Sequence, residues 1–177
     1  EGVRLIADGG PGEVVVQPER DEAGSPAAEV AILTNGSTIE GFTLRDALIG
    51  VSITGLWSEV RNNIILDVEV GISAQGAEGW LVGNQISYPS ARGVHGNGAS
   101  LWIDDTLIEG ADQGIDLVSS FARLLDDELR GNVRGVSLQD SIAEISSTTF
   151  TDNQTAAMLS LGDVVVQGST FNGNIVG

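Results

Sequence analysis

The sequence predicts an all-β solenoid, a parallel β-helix of about seven to eight coils of 21–22 residues. Three observations predict it. Apolar residues recur in columns one coil apart, small residues recur in a column of their own, and short strand-like runs alternate inward apolar with outward polar residues. The first apolar column reads Ile39, Val60, Leu81, Trp102, Leu124, Ile145, Val166. The second, five residues later, reads Leu44, Ile65, Ile86, Leu107, Leu129, Phe150, Phe171. Both insert one residue at the same coil, and a period of this length is the signature of a repeat architecture.

Between these columns runs a mostly polar one: Phe42, Asn63, Asn84, Asp105, Asp127, Thr148, Ser169. Asn, Asp, Ser and Thr suit a turn whose side chains bond backbone groups of neighbouring coils. The small column is Gly50, Gly71, Gly93, Gly114, Gly135 and Ala157, each followed by a hydrophobe: Val51, Ile72, Val94, Ile115, Val136 and Met158. Glycine there suits positive φ or close backbone approach. Gly50–Ile53 and Gly135–Leu138 show the two-residue period of a strand with one face inside. A leucine-rich repeat fails for want of its regular Leu-x-x-Leu-x-Leu run. A helical repeat fails because apolar residues lack three-four spacing and each coil carries Gly and β-branched residues.

One continuous domain is expected: irregular first coils over 1–36, with a loop at 17–28, then regular coils over 37–177. The earlier coils are carried by Val3-Arg-Leu5, Val14-Val-Val16 and Val30-Ala-Ile32, and the polar stretch with two prolines is the loop.

The chain has 25 acidic and 8 basic residues, a formal net charge of −17, and every base is Arg. Such a surface repels nucleic-acid phosphates and anionic membranes, attracts divalent cations and favours solubility. No apolar run reaches the length of a membrane span, so no membrane insertion is expected. Cysteine is absent, which removes disulfides and thiolate metal sites. No signal peptide is visible at the start.

Segments such as Val60-Arg-Asn-Asn-Ile-Ile65 with Gly71-Ile-Ser-Ala74, and Ser37–Leu44 with Gly50–Ile53, read apolar-x-x-Asn-x-apolar and then Gly-apolar-x-apolar. Over about residues 37–174 the pattern resembles the right-handed parallel β-helix repeat families of the pectate-lyase-like superfamily. The resemblance implies a single-stranded right-handed β-helix. It does not settle an activity, because these families include lyases, epimerase-like modules, tailspikes and adhesins.

Three sets of residues are candidates for chemistry. Asp104 and Asp105 occupy positions equivalent to Asp126 and Asp127, so stacking is expected to bring Asp104 near Asp126 and Asp105 near Asp127 at about 5 Å. Repulsion at that distance is relieved by a hard cation, which makes Ca2+ the candidate cofactor; a plain polar turn ladder is the other reading. A second acidic column holds Asp46, Asp67, Glu109 and Asp152. The lone Tyr88 and lone His95, with Arg92, are expected to share one edge, the most chemically varied spot and a candidate for sugar contact. Trp57 and Trp80 at coil junctions are candidates for stacking on sugar rings, or else junction packing, while Trp102 is expected in the core. No Ser-His-Asp set, phosphate-cradling loop or metal-spaced His cluster is read from the spacing.

The expectation is a non-catalytic extracellular or cell-surface module with a structural, adhesive or assembly role, with carbohydrate contact as a further feature. The alternative is part of a polysaccharide lyase or epimerase acting on uronate-containing glycans. No capping helix is legible at either end. Two readings follow, a segment of a longer protein or end-to-end stacking with coils of neighbouring molecules.

Overall fold

The computed structural model describes residues 2–9, 14–18 and 25–176. Their strands run parallel, each paired with its equivalent one coil away, and the coils stack into a solenoid of about seven turns. Among the described residues there is no helix, so none long and apolar enough to cross a membrane. Each coil has three faces. The first face is built by Arg4–Ile6, Thr38–Glu40, Ser58–Arg61, Glu78–Val82, Ser100–Asp104, Phe121–Leu125 and the later parts of Arg134–Ser146 and Thr155–Gln167. The second takes Val15–Val16, the starts of Thr43–Ile53 and Ile64–Gln75, then Gln85–Ser87, Leu107–Glu109, Glu128–Arg130, Thr149–Thr151 and Thr170–Asn172. The third takes Ala27–Leu33, the later parts of Thr43–Ile53 and Ile64–Gln75, Arg92–Asn97, Gln113–Val118 and the starts of the two longest strands. Residues 19–24 of the expected loop lie outside the described residues, and the strand that follows starts at Ala27.

Period two decides what is inside. Val51, Ile72, Val94, Ile115 and Val136 form one fully buried ladder, and Val60, Leu81, Ile103, Leu124 and Ile145 another. Each such side chain contributes roughly 1.5–3 kcal/mol on leaving water. At the ends of the stack Leu5, Ile6, Leu161, Val165, Phe171 and Ile175 are exposed.

The register corrects the sequence columns at the fourth regular coil and keeps their later members, Leu124, Ile145 and Val166 in one and Leu129, Phe150 and Phe171 in the other. Leu81 pairs with Ile103, not Trp102, and Ile86 pairs with Ile108, not Leu107. Ser87 still pairs with Leu66, 21 positions back, whereas Arg92 pairs with Val70, 22 back. The extra residue therefore sits in the corner between Ser87 and Arg92. Leu101, Trp102 and Ile103 are three apolar residues in a row. Alternation puts the outer two inside and turns Trp102 out. At the far end Val136 pairs with Ala157 rather than Met158, so the small column continues at Ala156.

The corner between the first and second faces has a repeated design. Gly41, Asn62, Gly83, Asp105, Asp126, Ser147 and Gly168 all have positive φ. The next residue in each coil, Phe42, Asn63, Asn84, Thr106, Asp127, Thr148 or Ser169, turns inward. The Asn63 amide oxygen accepts from Phe42 N at 3.0 Å, Asn84 accepts from Asn63 N at 3.1 Å, and Asp127 accepts from Thr106 N at 2.9 Å. Asn63 and Asn84 also donate to the Ile39 and Val60 carbonyls. These bonds satisfy amides at corners where the strand ladder is interrupted. A second ladder, absent from the sequence reading, links Ala111, Asn132, Asn153 and Asn174 at the corner between the second and third faces. The glycine column serves close approach rather than positive φ. A Cβ on Gly93 would meet Gly114 O at 2.5 Å.

Candidate functional site

On the outer side of the third face the coils align Ser52, Ser73, His95, Asp116, Ser137 and Met158 in one column. His95 Nδ1 and Asp116 Oδ2 are 3.0 Å apart, and Arg92 Nε donates to the same oxygen at 2.9 Å. Arg92 Nε also reaches Gln113 Oε1 at 3.2 Å. Burial pushes the Asp116 carboxyl up. The hydrogen bond and charge of His95 and the charge of Arg92 outweigh it, so the group titrates below its ordinary range. Asp116 is thus ionised near neutral pH and can only accept, which makes His95 Nδ1 the donor and leaves Nε2 as the basic nitrogen.

A parallel column runs Val70, Arg92, Gln113, Arg134 and Thr155. Two of the chain's 8 basic residues therefore stand on one stripe, two coils or about 10 Å apart. A third column holds Gln75, Asn97, Val118 and Gln139. Across Arg92–Asn97, Gln113–Val118 and their neighbours in these columns, Asp116 is the one acid. Within these columns two arginines face one acid, and Glu69 and Asp112 adjoin them one residue before Val70 and Gln113.

Tyr88 does not join it. It occupies a positive-φ corner in the column of Asp46, Asp67, Gly110, Gly131 and Asp152, and a side chain on Gly110 would collide with its ring. Its surroundings are Pro26, Asp46, Asp67 and Glu69. The acidic column continues at Gly110, because Glu109 is one position early. Glu109 instead takes Arg130 and the Ser87 hydroxyl as partners.

The tryptophans form a ladder on the first face. Trp57 and Trp80 stack at 5.6 Å between centroids, Trp80 and Trp102 stack at 4.9 Å, and Trp102 meets Phe121 edge-on at 6.3 Å. Both faces of the Trp80 indole are covered by other rings, so it cannot lie flat on a sugar. Trp57 has one ring partner among the described residues and is 63% exposed. The core position expected for Trp102 belongs to Ile103.

The aspartate pairs form in a different order. Asp104 points out from the first face and is level with Leu125. Asp105 and Asp126 share the positive-φ corner, and Asp127 is level with Thr106 inside the polar ladder. Asp127 spends Oδ1 on Thr106 N and Oδ2 on Leu125 N. Burial pushes it up to about 8, against those two donors and with the charges of Asp104 and Asp105 adding to the shift. Among the described residues no three acidic or histidine side chains are grouped to hold a metal ion.

Sequence reading missed Asp116, although a signal was present. Counting two residues on from Gly50, Gly71, Gly93, Gly114 and Gly135 gives Ser52, Ser73, His95, Asp116 and Ser137. The signal lies on the outward position of each strand, beside the inward apolar columns that carry the fold.

The stacked parallel coils with this polar outer face define a β-solenoid. The family described as right handed beta helix region matches residues 49–177. The chain belongs to that right-handed β-helix family. Its fold is similar to the Azotobacter vinelandii mannuronan C-5 epimerase AlgE6 A-module, with a TM-score of 0.62 at 13% identity over 96% of this chain. The chain spans 58% of that module's length. The Streptococcus pneumoniae surface protein and adhesin PfbA gives a TM-score of 0.28 at 9% identity, over 90% of this chain and 52% of that one. No curated protein sequence matches.

Proposed function

We propose that this chain is an extracellular β-helix module with a structural or adhesive role, and that its third face binds an acidic, uronate-containing glycan. The observation that carries this is the stripe of Arg92 and Arg134 beside His95, two of the chain's 8 bases on one face. Asp116 and Gln113 fix the Arg92 Nε edge, which leaves its two terminal amino groups to fork onto a ligand carboxylate. The two arginines are about a disaccharide apart along the axis, which suits a polymer laid across successive coils. The fold likeness to a mannuronan epimerase module supports the same ligand class.

The test is titration of a polyuronate and of a neutral glucan at low and high salt. The expected result is polyuronate binding that weakens as salt rises, and falls at least tenfold in R92A/R134A. Equal affinity of the variant, or equal binding of the neutral polymer, would refute the proposal. A second reading, a lyase or epimerase acting on such glycans, is favoured by the oriented His95 base. Incubation with polyuronate would then yield unsaturated product seen in the ultraviolet or a changed uronate ratio by NMR, and unaltered polymer would exclude it.

A further inference from the structure

The outward column of the third face places Ser73, His95 and Asp116 on three consecutive coils, in register. We propose that they act together as nucleophile, base and orienting carboxylate in the hydrolysis of carboxylic esters, with O-acylated sugars as the substrate class. The sugar part rests on the glycan-binding reading above; the ester chemistry does not.

Parallel pairing puts Ser73 and Asp116 on opposite sides of His95, each about 4.8 Å away along the axis. A base between a hydroxyl and a carboxylate is the arrangement that activates a serine, whatever the fold. The Asp116 bond at 3.0 Å fixes the imidazole with Nδ1–H toward the carboxylate. Among the described residues nothing occupies His95 Nε2 or the Ser73 hydroxyl. Ser73 is 5% exposed, so its hydroxyl is shielded from bulk water beside the imidazole. The charged members of the column lie only on the two coils next to Ser73; Ser137 and Met158 follow. Arg92 shares Asp116 Oδ2 with His95, which holds its guanidinium beside the imidazole.

The chemistry balances without another reactant than water. Ser73 Oγ attacks the acyl carbon while its proton passes to His95 Nε2, and Asp116 stabilises the imidazolium. The tetrahedral oxyanion collapses, and the leaving alcohol takes the proton from His95. Water then attacks the acyl-serine, giving a proton to His95; that proton returns to Ser73 as the carboxylic acid departs.

The test uses a fluorophosphonate probe and p-nitrophenyl acetate, neither of which needs the glycan. The expected result is a probe adduct mapped to Ser73 by peptide mass, absent in S73A and nearly absent in H95A. Ester turnover should fall to the buffer rate in S73A and by about 10³-fold or more in D116N. Circular dichroism and an unchanged unfolding midpoint in S73A show that the fold survives. A wild-type protein without the adduct, an adduct on another residue, or S73A turnover equal to wild type overturns the proposal. Adduct formation without polyuronate binding overturns the glycan reading alone.

Discussion

Replacing Asp127 with Asn separates the polar ladder from its one titrating member. Asp127 is 3% exposed, and its folded pKa of about 8 lies above the ordinary 3.8. The folded state therefore holds a proton that the unfolded state releases. Its contribution is complete below about pH 4 and is lost as pH rises through about 8. Each pH decade in that window raises the unfolding constant by up to about tenfold, so the total is on the order of several kcal/mol. Asparagine can copy the bonds of Asn63 and Asn84, accepting from Thr106 N and donating to the Ile103 carbonyl, 24 residues back as in those two. It gives up the bond from Leu125 N, which costs about 1 kcal/mol. The assay is thermal or urea unfolding of both proteins from pH 4.5 to 9. The two should be within about 1 kcal/mol at the acid end, and D127N should be more stable by several kcal/mol at the alkaline end. Parallel curves across the range would refute the buried, protonated Asp127.

Further predictions follow from the register and the corners. Ile103→Ala opens a cavity in the core and should cost about 2–5 kcal/mol, whereas Trp102→Ala on the outer face should cost clearly less; urea unfolding of the pair checks the corrected column. Gly93→Ala drives a Cβ onto Gly114 O at 2.5 Å and against Ile108, and should destabilise by about 1–3 kcal/mol or more, seen as a lowered Tm. Asn132→Ala leaves the Ala111 N–H and Ile108 carbonyl without their ladder partner and should cost about 1–3 kcal/mol, with faster hydrogen exchange at Ala111.

The fold was legible because a solenoid repeats its physics in every coil. The inward ladders Val51–Ile72–Val94 and Leu44–Ile65–Ile86 stand where the columns put them. The error began where one extra residue fell in the Tyr88 corner. Hydropathy could not choose between Trp102 and Ile103 as the core residue, since both are apolar; the strand's alternation and the backbone pairing do. The same slip of one residue displaced Asp105 from the ladder to the turn. The site was less legible because it joins residues about 21 positions apart through their outward side. Arg92 and His95 drew notice as rare residue types, but Asp116 is one of 25 acids and gains meaning only from its register with His95. Tyr88 looked close to them along the chain, yet the corner turns it onto a different edge.

The third face is the proposed place where ligand is met. Its most direct test is an amide and arginine side-chain NMR map of the isotope-labelled protein titrated with a short uronate oligosaccharide. Saturable shifts confined to Arg92, His95, Asn97, Gln113, Asp116 and Arg134 are predicted. Shifts centred on Trp57 and the first face, or no shifts at all, would contradict it.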